Sequence, residues 1–430
     1  MLKRRELLGR AAGAALFSVA PGRALGLGGA TPPSGRIGMG FIGLGGQGSG
    51  HLLGGAWTYV PGGYVARDEV QVLAVCDVRT ERREQARDRC NGVYAQKFGA
   101  GRYRSVEAYG DFREVLARPD IDAVLLALPY HWAGKMATMA ARAGKDVYCE
   151  KPVCITVREG RQMVETIRRH GRVYQAGTQQ RSEYGGKFRM ACELVRNGHI
   201  GELREVYAYR PPGALYPLGV PEGEPKPVPG GLDWDMWLGP LPAQPYCGSA
   251  GHALPGCFVG DVNWSPHHYD IIQWVLDADS SGPLEAEWEG GAVHLHYPNG
   301  VVVHSAPYPG EGVGSVGGAC FVGTKGRIAV DRENIVSYPS GILRARFGPG
   351  DTRVNRPQGH ADNFIDCIRT RRPTICHAET AHRSMSAVLV GGIALALRRS
   401  VRWDPSREEF PGDGEANRLL AYAARAPWGA

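Results

Sequence analysis

The sequence predicts an α/β protein with two domains: a doubly wound parallel sheet, followed by an α+β domain with an open, largely antiparallel sheet. Two observations support this prediction. Over residues 35–178, short apolar runs alternate with helical patterns across short connections, which is typical of parallel strands joined by helices. Beyond residue 179, strand-like runs are separated by turns such as Pro298-Asn299-Gly300, which indicates antiparallel pairing.

A glycine-rich turn follows the first predicted strand. The apolar run Ile37–Ile42 leads into glycines at 43, 45 and 48, in G-x-G-x-x-G spacing. Such glycines permit a tight turn, close approach of a pyrophosphate and close packing of the next helix, whose first N–H groups bind phosphates. The motif alone also fits an ordinary strand–turn–helix. The alternating pattern around it favours a Rossmann domain, with candidate cofactor contacts at Gly43, Gly45, Gly46, Gln47 and Gly48.

An acidic residue ends the second predicted strand. Val70–Val75 is followed by Cys76 and Asp77, where a carboxylate can bind the adenine ribose hydroxyls of a dinucleotide. Because an aspartate repels a 2′-phosphate, NAD is favoured over NADP. Arg79 lies close enough to weaken that preference, and Asp77 also fits a simple turn-forming role.

The remaining elements of the first domain follow from apolar periodicity. Ile121–Leu128 is a continuous apolar run between prolines and predicts a buried strand, and Asp146–Cys149 predicts the next one. The helix Trp132–Ala143 between them stops at Gly144. The other predicted elements are helices Arg79–Phe98, Asp111–Leu116 and Val157–His170, and the strand Val173–Ala176.

In the second domain, dense proline and glycine over 211–231 predict a long loop. The predicted strands are Glu202–Tyr209, Gly291–His296, Val301–Ser305, Ala319–Val322 and Ile328–Val330, and the predicted helices are Asp362–Arg369 and Thr380–Arg398. The expected organisation is a Rossmann domain over 35–178, a substrate and oligomerisation domain over 179–400, and a C-terminal tail over 401–430.

Residues 1–30 are expected to be a twin-arginine signal peptide rather than part of the fold. Arg4-Arg5 precedes the small apolar run Ala11–Ala20, and this pattern predicts export to the periplasm or beyond the cell. A frayed basic N-terminus is the alternative. The whole chain carries +7, and residues 1–30 hold five basic and one acidic residue, so +3 remains. This charge supports neither nucleic-acid binding nor, after cleavage, membrane association.

The ten cysteines are scattered without a C-x-x-C pair, so no metal site is predicted. Most are expected to be buried thiols, with a Cys247–Cys257 disulfide as an open alternative.

Several motifs in a fixed order carry a family resemblance. They include C-E-K-P at 149–152, G-T-Q-Q-R-S at 177–182, H-H-Y-D at 267–270 and D-N-F-I-D-C-I-R at 362–369. With the glycine motif, they make the chain resemble the glucose–fructose oxidoreductase and inositol dehydrogenase (Gfo/Idh/MocA) family, in its exported branch. The resemblance implies an active site between the two domains and a homo-oligomer associated through the second sheet.

The resemblance implies two catalytic residues. Lys151 would contact the nicotinamide ribose and the reacting hydroxyl, whose developing alkoxide an ammonium stabilises. His267 matches the proton acceptor. Ser265 is a suitable N-cap and Pro266 a suitable first helical residue, so the positive end of the helix dipole would keep His267 neutral. A cis peptide before Pro152 is also implied.

The chain departs from the family pattern at two positions. Asn263 stands where the family has an aspartate, which puts a proton relay in doubt, although Asp261 can substitute if the segment is extended. Ala133 stands where the family has a second histidine. His131 remains near the expected nicotinamide, and a packing role fits it equally well.

The full set of implied contacts covers both ligands. For the substrate they are Asn263, Asp261, Arg181, Asp270 and Trp234. For the cofactor they are the glycine-loop residues with Asp77, Arg79, Leu128, Pro129, His131, Glu150, Lys151 and Gln179. Asp270 would orient His267 or complement the helix dipole. Trp234 with Trp237 and Tyr246 would form a stacking wall for a sugar ring, with core packing as the alternative.

The leading functional hypothesis is an NAD-dependent oxidoreductase that acts on a hydroxyl of a sugar or cyclitol. Two alternatives stay open. One is an NAD-dependent glycoside hydrolase that oxidises the sugar transiently and then eliminates the aglycone. The other is a sugar-binding protein that has lost its chemistry, for which Asn263 is the motivating residue.

Overall fold

The structure is a computed structural model that describes residues 35–55, 58–99, 105–208, 224–248, 263–310 and 318–429. The predicted signal peptide, Asp261 and Cys257 lie outside the described residues. The nine other cysteines are free thiols, and eight of them are buried.

The first domain contains a six-stranded, entirely parallel sheet in the order β3-β2-β1-β4-β5-β6. The order reverses between β1 and β4, which opens a crevice at the carboxyl ends of these strands, where such sheets bind ligands. The strands are β1 Ile37–Ile42, β2 Val70–Cys76, β3 Glu107–Tyr109, β4 Ala123–Leu126, β5 Asp146–Cys149 and β6 Tyr174–Ala176. This confirms the predicted Rossmann sheet.

Helices connect these strands. They are α1 Gly46–Leu53, α2 Thr80–Phe98, α3 Phe112–Ala117, α4 Tyr130–Arg142 and α5 Val157–Arg169. Thr156 is the N-cap of helix α5, and its Oγ1 atom accepts a hydrogen bond from the Glu159 N–H group (3.3 Å). α6 Lys187–Arg196 then leads into the second domain.

The second domain contains an eight-stranded sheet in the order β13-β12-β11-β7-β10-β9-β8-β14. β7 and β10 are parallel and the other neighbours are antiparallel, which confirms the predicted open, largely antiparallel sheet. The strands are β7 Leu203–Ala208, β8 Glu285–Glu289, β9 Ala292–His296, β10 Val302–His304, β11 Ala319–Gly323, β12 Gly326–Val330, β13 Ile335–Tyr338 and β14 Val401–Arg402.

Five further helices complete the described chain: α7 Trp234–Leu238, α8 Ser265–Val275, α9 His360–Thr370, α10 Ala378–Leu397 and α11 Gly414–Arg418. α10 is the one described helix that is long and apolar enough to cross a membrane by length and composition. It packs against α5, α8 and the second sheet, and 72% of its apolar window is buried. These contacts explain why α10 is so apolar, because it is a buried core helix.

Residues 401–429, the described part of the predicted tail, are packed against both domains. Val401–Arg402 forms the edge strand beside β8. Trp428 packs edge-on against Trp132 of the first domain, with ring centroids 4.8 Å apart. Arg425 forms an ion pair with Asp235 (2.6 Å).

Gly48 sets the distance between α1 and β1. A Cβ at this position would overlap the Gly43 carbonyl oxygen. Because this oxygen belongs to the backbone, it cannot move aside as a flexible side chain could. We expect Gly48→Ala to lower the free energy of unfolding by about 1–3 kcal/mol, the usual cost of overpacking. Gly46→Ala is the matched control, because a Cβ there meets nothing within 4 Å. Urea unfolding of both variants measures the difference, and equal midpoints would contradict this role for Gly48.

Candidate active site

The glycine loop forms a cradle at the end of β1. Gly43 has φ +87°, and a Cβ there would overlap the Ala127 carbonyl oxygen, so glycine is required. A Cβ at Gly45 would meet only Arg82 Nη1, at 3.7 Å, which leaves room for a phosphate. Gly45 is also the N-cap of α1 and makes no side-chain cap. This geometry fits the pyrophosphate of a dinucleotide.

A first cavity of about 290 Å³ runs from this cradle across the ends of β2 and β4. Asp77 lines it and is 7% exposed. Its Oδ2 atom accepts a hydrogen bond from the Leu44 N–H group (2.7 Å), and its Oδ1 atom accepts one from the Arg79 N–H group (2.8 Å). Predicted contacts lining this cavity include Gly43, Gly45, Asp77, Arg79, Leu128 and Pro129.

A second cavity of about 490 Å³ adjoins the first and shares Ala127, Leu128 and Tyr130 with it. The two cavities therefore form one groove. Residues from both domains line the second cavity: Gln47, Ala127, Leu128, Tyr130, Glu150, Lys151, Gln179, Tyr184, Asn263, Trp264, His267 and Arg332.

Glu150 lies at the base of this cavity and is 7% exposed. Its Oε1 atom lies 2.7 Å from His51 Nε2 and accepts hydrogen bonds from the side chains of Gln179 (2.8 Å) and Gln47 (3.2 Å). Burial acts to raise the pKa of Glu150, but His51 and Lys151 outweigh it and leave the pKa lowered. Glu150 is therefore ionised, and its carboxylate holds the side chains of His51, Gln47 and Gln179 in position.

Lys151 follows Glu150 and points across to the second domain. Its Nζ atom donates hydrogen bonds to the Asn263 Oδ1 atom (2.9 Å) and the Asn263 carbonyl oxygen (3.0 Å). The peptide between Lys151 and Pro152 is cis, as the resemblance implied. Asn263 thus positions the ammonium group without cancelling its charge.

His267 lies in the first turn of α8 and lines the same cavity. The helix begins at Ser265, one residue earlier than predicted, and Trp264 is its N-cap without a side-chain cap. Burial, followed by the charges of Lys151 and Arg332, holds the pKa of His267 well below its ordinary value. The imidazole is therefore neutral and can accept a proton.

Arg181 and Asp270, two predicted substrate contacts, lie behind the cavity rather than in its lining. Asp270 is fully buried, and its Oδ2 atom accepts a hydrogen bond from Arg181 Nε (2.8 Å). Arg181 also pairs with Asp279 (2.7 Å), and Ser384 donates to Asp270 Oδ1 (3.1 Å). Arg181 is thus the shared counter-ion of two carboxylates, and among the described residues no hydrogen bond joins Asp270 to His267.

His131 and Trp234 were also predicted as ligand contacts, and in the structure both side chains pack against Trp237. His131 is 2% exposed, and its Nε2 atom lies 2.9 Å from the Trp237 carbonyl oxygen. Trp234 stacks on Trp237, with ring centroids 4.7 Å apart, and donates its indole N–H to the Gln244 carbonyl oxygen (2.9 Å). Of this aromatic cluster, Trp237 lines the first cavity, so the predicted sugar wall is not part of the second cavity.

Comparison with known proteins agrees with this architecture. Residues 37–178 match the oxidoreductase family GFO_IDH_MocA, described as an NAD-binding Rossmann fold. Residues 213–298 and 351–430 match the C-terminal α/β domain of the same family. The chain belongs to the Gfo/Idh/MocA oxidoreductase family.

Solved structures of this family share the fold at low identity. An aldose–aldose oxidoreductase from Caulobacter crescentus, complexed with glycerol, has a TM-score of 0.56 and 18% identity, covering 85% of this chain and 99% of that one. The WlbA dehydrogenase from Bordetella pertussis, in complex with NADH and UDP-GlcNAcA, has a TM-score of 0.54 and 17% identity, covering 86% and 99%.

Among curated relatives, a glycosyl hydrolase family 109 protein from Shewanella pealeana is 30% identical over 172 residues, which are 40% of this chain and 34% of the relative. The chain spans 34–40% of the length of the first such relatives.

The sequence analysis did not identify several residues that line the groove or support it. Tyr184, Trp264 and Arg332 line the second cavity, Arg82 lines the first, and His51 binds Glu150. His51 lies one helical turn after Gln47 in the sequence, so the periodicity of α1 is a signal that could have found it. Arg332 comes from a turn between two antiparallel strands, where no local motif marks it.

The Arg181 cluster provides a test of its structural role. Arg181→Gln would leave Asp270 and Asp279 without their counter-ion, and we expect a loss of about 3–5 kcal/mol in the free energy of unfolding. Arg372→Gln is the control, because Arg372 forms a similar ion pair with Asp366 (2.7 Å) but both side chains are exposed. The free energy of unfolding of Arg372→Gln should fall by less than about 1 kcal/mol. Denaturant unfolding compares them, and an unchanged Arg181→Gln midpoint would reject the structural role.

Proposed function

We propose that the protein is an NAD-dependent oxidoreductase that oxidises a hydroxyl group of a sugar or cyclitol. The observation that carries this proposal is the presence of His267 and Lys151 in one cavity, continuous with a groove that fits a dinucleotide. A neutral buried histidine supplies the base, and an ammonium group supplies the charge that a developing alkoxide needs.

Each residue has a separate task in this scheme. His267 accepts the hydroxyl proton, and Lys151 stabilises the oxygen from which the proton leaves. Asn263 holds Lys151 in place through two hydrogen bonds. The nicotinamide, when bound, supplies the hydride acceptor. Gly45, Asp77 and Gln47 would hold the cofactor along the groove.

NAD rather than NADP is the proposed cofactor. Asp77 places a carboxylate in the first cavity at the end of β2, where it disfavours a 2′-phosphate. Arg79 and Arg82 line the same cavity and reduce that penalty, so the proposed preference is moderate.

Export by the twin-arginine route and self-association also remain proposals. Export rests on Arg4-Arg5 ahead of the apolar run. Self-association would use the side of the second sheet that carries Val336 and Tyr338, which are 44% and 66% exposed.

The likeness to a glycosyl hydrolase family 109 protein favours one alternative. In a hydrolase that oxidises its sugar transiently, the same histidine and lysine would start the reaction, and the cofactor would be reduced and reoxidised within one turnover. Net reduced nicotinamide would then not accumulate.

A panel of sugars, cyclitols and aryl glycosides distinguishes these functions. We expect purified protein with added NAD to produce reduced nicotinamide, followed by absorbance, from at least one free sugar or cyclitol. Release of aglycone without net reduction would identify the hydrolase instead. Binding of a sugar without either signal would identify a protein that has lost its chemistry.

Variants at the two catalytic positions should separate chemistry from cofactor binding. We expect His267→Ala to lower turnover by about 10²–10⁴-fold, the usual contribution of a general base, while bound NAD is unchanged. Lys151→Ala should lower both turnover and NAD content, since Lys151 lies beside Glu150 and faces both ligands. Turnover and released nucleotide are measured for each variant. Near-normal turnover of His267→Ala on an established substrate would remove this residue from the mechanism.

A further inference from the structure

A short segment of the second domain forms one wall of the first cavity. We call residues 229–241, which contain helix α7, the strap. Its residues Met236 and Trp237 line the cavity together with Gly45 and Asp77 of the first domain. A dinucleotide that fills this cavity would therefore contact the strap as well as the glycine loop.

The strap begins beside Asp77. The Thr80 N–H group donates a hydrogen bond to the Gly231 carbonyl oxygen (2.8 Å), and the Asp233 N–H group donates one to the Val78 carbonyl oxygen (3.1 Å). Residues 78–80 directly follow Asp77, which comes after the last residue of β2 and lines the first cavity. The first end of the strap is therefore attached on the β2 side of the cavity.

The other end of the strap is attached to helix α4, which follows β4. The indole N–H group of Trp132 donates to the carbonyl oxygens of Met236 (3.0 Å) and Trp237 (3.1 Å). Gly239 has φ +51°, and a Cβ there would overlap the Trp132 ring. The strap backbone therefore lies directly on this ring, on the β4 side of the cavity.

The two attachments lie on opposite sides of β1. In the first sheet, β1 stands between β2 and β4, and the glycine loop follows β1. The strap therefore bridges the crevice at the carboxyl end of β1, where a parallel sheet of this kind binds its nucleotide.

The C-terminal segment fastens the strap through one residue, Arg425. Its Nη1 atom forms an ion pair with the Asp235 carboxylate (2.6 Å), and its Nη2 atom donates to the Asp235 carbonyl oxygen (2.8 Å). Its Nε atom donates to the Gly239 carbonyl oxygen (2.7 Å), and its backbone N–H group donates to the Pro240 carbonyl oxygen (3.1 Å). Arg425 thus holds the beginning of α7 and the residues just after it at the same time.

We propose that the strap encloses the dinucleotide in the first cavity, and that Arg425 keeps the strap closed, so that the cofactor leaves slowly. The inference rests on the cofactor site of the proposed function and not on any substrate. Release requires the strap to separate from at least one side of the crevice. The bonds to Arg425 must break or shift when this happens, so they set part of the barrier to opening.

Two other roles for Arg425 predict different results. If the strap were a fixed wall, loss of Arg425 would lower the free energy of unfolding and leave the rate of cofactor release unchanged. If Arg425 only improved a contact in the bound state, the release rate and the Kd would rise by the same factor. A strap that opens and closes predicts that entry also becomes faster, so the Kd rises less than the release rate.

The test is an exchange experiment. Purified protein is loaded with NAD, desalted and mixed with excess radiolabelled NAD, and incorporation of the label is followed over time. We expect the unchanged protein to exchange over minutes or longer, at the slow end of known residence times. Arg425→Gln should exchange at least about 10-fold faster, because hydrogen bonds of a charged group typically contribute that much or more. The Kd, measured by NADH fluorescence, should rise by a smaller factor.

Asp235→Asn tests the same contact from the strap. The Asp235 side chain is 76% exposed, so we expect the variant to fold normally. It removes the ion pair but leaves the three hydrogen bonds from Arg425 to strap carbonyl oxygens. Exchange should therefore accelerate in the same direction as in Arg425→Gln, by a smaller factor.

Arg399→Gln is the matched control. Arg399 also forms ion pairs within the C-terminal part of the chain, with Asp413 (2.6 Å) and Glu415 (3.0 Å). It does not line the first cavity, and its printed partners lie outside the strap. We expect this variant to exchange NAD at the rate of the unchanged protein.

Three results would overturn the inference while the proposed function stands. They are complete exchange in the unchanged protein before the first desalting, unchanged exchange in both Arg425→Gln and Asp235→Asn, and an equal rise of release rate and Kd. Slow exchange without oxidation of any sugar would reject only the proposed reaction. A protein that binds no NAD would overturn the strap and the proposed cofactor together.

Discussion

The rest of the site depends on one buried carboxylate, that of Glu150. It follows β5, and its partners come from α1 and from the segment after β6, so one side chain joins three parts of the first domain. A buried charge of this kind is tolerated only when hydrogen bonds replace its lost hydration. Gly177 is part of this arrangement, because a Cβ there would lie 2.6 Å from the Glu150 carboxyl carbon. Lys151 is the next residue, so its direction into the cavity is set by the same network.

The second constraint is the state of His267. A histidine that serves as a base must be neutral, and here burial and two nearby cations oppose its protonation. The same environment lowers the pKa of the neighbouring His268 to about 3, with burial as the larger cause and Arg332 as the smaller. Helix α8 thus carries two uncharged imidazoles, of which that of His267 lines the second cavity and that of His268 lines a separate one. The placement of the two cations therefore helps to keep the imidazole of His267 uncharged.

Local patterns in the sequence predicted most of the fold and the cofactor groove. The glycine spacing, Asp77 and the Lys151 motif are each contained in one short segment, and the structure brings them to one crevice. The predicted site residues that lie outside the cavity lining have partners distant in sequence. Arg181 and Asp270 are 89 residues apart, and nothing near either residue indicates that they neutralise each other. β8 was missed although its residues alternate between polar and apolar, because three of its five residues are glutamates, which are depleted in strands.

Asn263 connects the mechanism to the charge of the cavity. The family resemblance led us to expect an aspartate here, and the amide raised doubt about catalysis. In the structure, Asn263 binds Lys151 through its Oδ1 atom and its backbone carbonyl, contacts that an aspartate would also make. An aspartate, however, would add a negative charge beside the ammonium group of Lys151. That charge would partly neutralise the ammonium group, whereas the amide preserves both the position and the charge of Lys151. The amide at this position is therefore compatible with the role proposed for Lys151.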